Sequence, residues 1–227
     1  MITPPDPAVT APRRPFVLTA ATAILLGWFV SCAIDRAAYH ALRVESWATE
    51  WATKDLVQML RSAGYFPTWL LAGIMIDFGG GTRLWPSDFV SRHARRGVEA
   101  LGARVMLSAA LGGLLAELLK LAVRRHRPSP TNDGHHVYDW FAGEVEGRGL
   151  GLASSHAGVA FGAAFALWRW SPAAGWAALA LALGCSATRL LSGAHFVSDV
   201  YAAAVLAWAG AGLIWWMLDR PARRRGA

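Results

Sequence analysis

The chain is 227 residues long, 55% hydrophobic and only 16% charged, with positive mean hydropathy. An ordinary soluble domain carries about a quarter charged residues, so this balance excludes one and points to a membrane. The net charge of +7 does not indicate a nucleic-acid partner, because the arginines form short clusters between apolar segments instead of one polar face.

Residues 1–15 are Pro-rich and polar and read as a disordered lead. Residues 16–34 then form an uninterrupted apolar run that ends at Asp35 and Arg36. At about 1.5 Å per residue this run crosses a hydrocarbon core. Two processing signals compete with that reading: Arg13 and Arg14 faintly resemble a twin-arginine export signal, and Val30–Ser31–Cys32 a lipoprotein cleavage site. Arginines flank any first span, so a retained helix is preferred. Cys32 and Cys185 both fall inside apolar stretches and read as buried free thiols.

In residues 47–64, Leu56, Val57, Met59 and Leu60 recur at helical spacing among charges, as in a helix lying at the interface. Residues 66–78 are a short apolar segment interrupted by Asp77 and stopped by Gly79, Gly80 and Gly81, the weakest of the spans. Residues 98–123 follow, with Arg104 near the start and Glu117 and Lys120 near the end. Three further spans are expected at 157–167, 173–187 and 196–218, the first of them long enough only with its polar flanks. Several of the twelve tryptophans lie at the ends of these runs, where indole rings favour the headgroup layer. The predicted fold is an all-α, polytopic membrane helix bundle of about six transmembrane helices plus an interfacial helix. Residues 16–218 make one domain, and 219–227 a basic tail.

Loop charge orients this bundle. Arg13 and Arg14, then Arg83, Arg92, Arg95 and Arg96, then Arg169, then Arg220, Arg223, Arg224 and Arg225 all fall on one side, which becomes cytoplasmic along with both termini. The basic run Lys120, Arg124, Arg125 and Arg127 lands on the opposite side. An anionic ligand explains a cluster that breaks the topology rule. His135 and His136 nearby read as solvated loop residues.

Three patches meet at that outer face: Lys120 to Pro128, then Ser154–Ser155–His156, then Thr188–Arg189 with His195 and Asp199. Their chemistry suits phosphoryl transfer. Lys120, Arg127 and Arg189 offer point charge and forked donors that match phosphate oxygens. Ser154, where a helix opens, adds neutral donors at an end that favours anions. His195 and Asp199 are four residues apart, so on a helix they share a face. Asp199 accepting from His195 Nδ1 leaves Nε2 free to attack phosphorus, while His156 protonates the departing oxygen and later activates water. Taken singly each patch has a plainer reading: snorkelling cations at a helix end, a serine cap, or two metal ligands at helical spacing. The metal reading is disfavoured because no further His/Glu pair has metalloenzyme spacing.

The residues resemble the type 2 phosphatidic acid phosphatase superfamily. Lys120, six residues, then Arg127–Pro128 is similar to its first signature. Ala153–Ser154–Ser155–His156 looks like the second, normally Pro-Ser-Gly-His. Thr188–Arg189, five residues, His195, three residues, Asp199 looks like the third, normally opening with Ser-Arg. The resemblance implies His195 as nucleophile, Asp199 as its partner and His156 as acid. Lys120, Arg127, Ser154, Ser155 and Arg189 would bind phosphate, with no metal or other cofactor. Thr188 keeps the hydroxyl, Ala153 loosens the turn, and Ser155 puts a side chain where backbone normally approaches phosphate.

The resemblance further implies an integral membrane lipid phosphatase in a bacterial-type inner membrane, with the site facing the periplasm or exterior. The substrate expected is a lipid phosphate: phosphatidate, phosphatidylglycerol phosphate, undecaprenyl diphosphate or a lipid A phosphate. Two alternatives stand beside it, a lipid phosphotransferase using the same phosphohistidine and a non-catalytic membrane protein that binds anionic lipid. Residues 129–152, with Trp140, Phe141, Asp133, Asp139, Glu144 and Glu146, make a long outward loop expected to shape the headgroup entrance.

Overall fold

The described residues form seven α-helices: α1 (Arg14–Leu42), α2 (Asp55–Ser62), α3 (Phe66–Gly80), α4 (Leu101–Val123), α5 (Ser155–Trp170), α6 (Pro172–Leu191) and α7 (Val197–Arg224). They are taken from a computed structural model that describes residues 14–80, 101–141 and 149–224. The lead up to residue 13, the arginines Arg83, Arg92, Arg95, Arg96 and Arg225, and the loop carboxylates Glu144 and Glu146 lie outside the described residues. No strand occurs among the described residues, only two isolated backbone bridges.

Among the described residues, four helices are long and apolar enough to cross a membrane: Leu18–Leu42, Leu101–Val123, Pro172–Leu191 and Val197–Asp219. The other two apolar helices are short: α3 contributes only Phe66–Phe78, and α5 has 16 residues. These are the two segments whose sequence already looked too short. Large side chains such as Leu25, Phe29, Leu114, Leu118 and Leu183 stay exposed on the helix flanks. An aqueous surface would not tolerate such a continuous apolar face, whereas lipid chains match it. The chain is therefore a multi-pass integral membrane protein.

Local sequence dictates how the helices turn back on one another. Ser171 alone separates α5 from α6, and Pro172 opens α6, where its missing N–H costs nothing and its φ is already helical. Asp77, near the end of α3, accepts from the backbone N–H groups of Gly102 (2.7 Å) and Ala103 (2.9 Å). The carboxylate that interrupts the apolar run at 66–78 thus satisfies unpaired amides at the start of α4 and complements its dipole. Between α4 and α5 the backbones touch. A Cβ on Gly112 would lie 2.2 Å from the Gly158 carbonyl oxygen, so only glycine permits this approach.

Arg104, at the start of α4, pairs with Asp219 near the end of α7 at 2.8 Å and lies 4.3 Å over the Trp215 ring. The two helices are therefore antiparallel, and the end of α4 meets the start of α7 at the opposite pole. Helix α1 packs along α7, where the Tyr201 hydroxyl donates to the Ile24 carbonyl at 2.9 Å. The buried centre is lined by small residues, among them Ala109, Ala116, Ala160, Ala163, Ala203 and Ala207.

Candidate active site

Helix α6 ends at Leu191, and Gly193 takes φ +63°, the left-handed conformation that terminates helices. Its N–H donates to the Leu190 carbonyl at 2.9 Å, and the Ala194 N–H to that of Arg189 at 3.0 Å. This turn sets His195 just ahead of α7, with Asp199 in the first turn of that helix. His195 Nδ1 lies 3.3 Å from Asp199 Oδ2, which also accepts the Phe196 N–H at 2.8 Å. With Nδ1 as the donor, Nε2 keeps its lone pair. His195 is 4% exposed. Burial pushes its imidazole below the ordinary histidine range, and the neighbouring Asp199 only partly opposes this.

The motif residues from the other helices arrive at the same pole. The Ser154 N–H donates to the Asp199 main-chain carbonyl at 3.2 Å, tying the start of α5 to the start of α7. His156 has Arg189, His195, Arg61 and Lys120 as its charged neighbours, while Arg189 and Arg127 are those of His195. Lys120 is 4% exposed and bonds Glu117 at 2.8 Å, and Glu117 also faces Ser155. Arg127 spends its Nε on the Leu150 carbonyl at 3.1 Å. That bond fixes the plane of the guanidinium and leaves its paired terminal nitrogens as the fork. Ser154 Oγ and Arg189 Nε are buried with no hydrogen-bond partner among the described residues. Buried donors of this kind call for a ligand that accepts from them. Thr188, by contrast, is spent on the Cys185 carbonyl at 2.7 Å.

Behind this cluster lies a polar network that the sequence reading missed. Arg125 is fully buried; its Nη2 donates to Asp199 Oδ1 and, at 2.7 Å, to the Ser198 hydroxyl. Asp35, which reads in the sequence as a mere flank of the first span, is equally buried. It accepts both the N–H (2.9 Å) and the hydroxyl of Ser198, and lies 3.9 Å from Arg125 Nη1. Burial opposes the charge on Arg125, but Asp199 and Asp35 more than offset this and hold the guanidinium protonated. One signal was available: an ionisable residue inside an apolar run is a functional candidate by default.

Two sequence expectations need correction here. His136 is not a solvated loop residue: its Nε2 bonds Asp35 at 2.8 Å and its ring meets Phe196 edge-on at 4.9 Å. Arg125 cannot face an external anion, because its charge is consumed by Asp199 and Asp35. His135 does stay exposed, 4.0 Å from Asp133.

The segment after α4 folds back beneath the site. The N–H groups of His126, Arg127 and Gly151 donate to the carbonyls of Val137 (2.8 Å), Gly149 (3.0 Å) and Arg125 (2.7 Å). A cavity of about 460 Å³ opens beside Arg127, with Ser129, Thr131 and Asn132 among its walls. Trp140 donates its indole N–H to the Val123 carbonyl at 2.6 Å, and Phe141 next to it is 98% exposed.

Helices long enough to cross a bilayer and a polar pole where basic side chains surround two histidines define a class of polytopic membrane protein with a cationic site. The chain belongs to the PAP2 superfamily, whose sequence profile matches residues 101–223. It is 33% identical over 154 residues to a lipid A 1-phosphatase of Rhizobium etli, an alignment covering 66% of this chain and 65% of the relative. It is 37% identical over 106 residues to a lipid A 1-phosphatase of Rhizobium johnstonii, covering 46% and 43% respectively. The chain thus spans just under two thirds of the first relative's length and less than half of the second's. In fold it is similar to a transmembrane PAP2-type phosphatidylglycerolphosphate phosphatase of Bacillus subtilis, with a TM-score of 0.55 and 19% identity over 88% of this chain and 96% of that one.

Proposed function

We propose that this chain is a membrane phosphatase that releases phosphate from a lipid through a phosphohistidine on His195. The single observation that carries the reading is the meeting of cations from separate segments at the two histidines: Arg127 and Arg189 beside the His195–Asp199 pair, and Arg189 and Lys120 beside His156. Asp199, accepting from Nδ1, holds the imidazole in the tautomer whose Nε2 attacks phosphorus. Arg127, Arg189 and Ser154 bind the equatorial oxygens, and Lys120 adds a point charge. Fixed positive groups in a water-poor site stabilise the charge that spreads over those oxygens in the transition state. His156 gives a proton to the departing oxygen, then takes one from the water that hydrolyses the phosphohistidine.

Ser155 is a weaker ligand in this scheme, since its hydroxyl faces Glu117. The cavity beside Arg127 receives the headgroup, while the lipid chains remain between exposed apolar helix flanks. Residues 16–218 act as one unit of six spans with both termini cytoplasmic, so that the site opens to the outer side of a bacterial inner membrane. The relatives' activity makes the 1-phosphate of lipid A the first substrate to try.

Phosphate release from detergent-dispersed lipid A phosphate, phosphatidate, phosphatidylglycerol phosphate and undecaprenyl diphosphate tests the reading, run beside His195→Ala. Turnover of at least one lipid, abolished in the variant at equal expression, is expected. Release that persists in His195→Ala would overturn the nucleophile assignment.

A further inference from the structure

Helix α2 and its junction with α3 contribute to the site from outside the family's three signatures. The turn after α2 is tight, with the Gly64 N–H donating to the Arg61 carbonyl at 2.9 Å. A Cβ on Gly64 would sit 2.8 Å from His156 Cβ, and the Tyr65 ring meets the His156 ring edge-on at 5.0 Å. This junction is therefore the wall against which the His156 imidazole rests. Arg61, in the last turn of α2, stands at its edge, and its carbonyl is 4.0 Å from Cys185 Sγ on α6.

The chemistry of Arg61 is unusual for a surface helix. Its Nε is buried without a hydrogen-bond partner, and among the described residues it has no carboxylate within ion-pairing distance. Arg189, His156 and the Cys185 thiol are among its neighbours, and none of them is a carboxylate. Two guanidinium groups held near each other with unspent buried donors repel unless an anion lies between them. Two other cations of the site are balanced within the protein, Lys120 by Glu117 and Arg125 by Asp199, whereas Arg127 and Arg189 join Arg61 in having no carboxylate paired to them among the described residues. The Gly64 and Tyr65 contacts set the junction, with Arg61 at its edge, against His156, the residue that in the proposed mechanism protonates the leaving group.

We propose that Arg61 is a further substrate-binding residue, which holds a negatively charged leaving group against His156 and so favours lipid diphosphates over lipid monophosphates. The proposal rests on the phosphatase reading given above. The reaction balances: a bond forms from His195 Nε2 to the terminal phosphorus as its bridging P–O bond breaks. The electron pair goes to the bridging oxygen of the departing lipid phosphate, which takes a proton from His156 while Arg61 binds the remaining phosphate oxygens. Water then cleaves the phosphohistidine and returns a proton to His156. The sum is lipid diphosphate plus water giving lipid phosphate and inorganic phosphate.

The test uses purified full-length protein in detergent with a monophosphate and a diphosphate of one isoprenoid alcohol, comparing wild type, Arg61→Gln and Arg61→Lys. For Arg61→Gln, kcat/KM is expected to fall at least ~10-fold further on the diphosphate than on the monophosphate. Arg61→Lys is expected to recover part of that difference. Equal losses on both lipids, or none, would overturn the proposal. Calorimetric binding of inorganic pyrophosphate and of inorganic phosphate gives a second measure that needs no turnover. A preference for pyrophosphate that Arg61→Gln removes upholds the subsite, and absence of any preference overturns it. Failure of wild type to release phosphate from either lipid would instead sink the phosphatase reading, with the binding data still deciding on Arg61.

Discussion

In the proposed mechanism His195 must do two things that pull against each other. Attack on phosphorus needs a neutral imidazole, yet the site around it is crowded with cations that assist only once an anion is bound. Burial resolves part of the conflict by keeping the ring neutral in the free protein, below the ordinary value of about 6.5. The sign of the resulting pH dependence follows. The native state refuses a proton that the unfolded chain accepts, so stability contributed by this group is complete above about pH 6.5 and declines as pH falls below it. Activity follows the same limb: kcat/KM of the free enzyme is expected to stay level down to about pH 6.5 and to drop only at lower pH. A profile of kcat/KM between about pH 5 and 8 checks this. An acid limb centred above the ordinary histidine value would mean that His195 is protonated in the resting site, and the nucleophile would have to be sought elsewhere.

Helices matter here for the atoms they hold in register. Asp199 orients His195 only because its second oxygen is occupied by Arg125, which in turn is shared with Ser198 and lies close to Asp35 on α1. Asp35, Ser198 and Arg125 are thus positioning residues, acting on the reaction through Asp199. Arg125→Met would leave two carboxylates buried without their cation, a loss of about 3–5 kcal/mol that threatens folding itself. Ser198→Ala removes one link and keeps the ion pairs. It is expected to lower kcat by up to roughly 100-fold while leaving KM near its original value, because misplacing a nucleophile slows chemistry more than binding. A rise in KM at constant kcat would show that Ser198 serves binding instead. The sequence could not display this network, since Ser198 and Asp35 are 163 residues apart and nothing local marks them as partners. What it did display were patterns of short range. Unbroken apolar runs marked the long helices, and four-residue spacing put His195 beside Asp199. The role of Asp77 was hidden for the same reason as that of Asp35: a carboxylate in an apolar run looks like an interruption until the amides of Gly102 and Ala103 are seen to need it.

At the scale of the molecule, the pole that carries the two histidines also carries apolar side chains that no described residue covers. Leu56 and Met59 on α2 are exposed, as are Trp140 and Phe141 in the segment after α4. Helix α2 abuts His156, and Trp140 is fastened to the end of α4 through the Val123 carbonyl, so both sets ring the site. Aromatic and aliphatic groups at such a rim belong in the headgroup layer, where they fix the depth of the protein in the bilayer. On the proposed mechanism the reacting phosphate would meet His195 at the level of the headgroups, and the lipid would not have to leave the membrane. Phe141, 98% exposed, is the most direct probe of this arrangement because it touches none of the reacting groups. Burying a phenyl group contributes about 1.5–3 kcal/mol, so Phe141→Ser is expected to slow hydrolysis of a lipid phosphate in vesicles on the order of tenfold. Hydrolysis of a short-chain, water-soluble phosphate ester by the same detergent-solubilised variant should be unchanged. Comparable losses on both substrates would mean that Phe141 supports the site itself, and the depth of immersion would then have to be set by α2 alone.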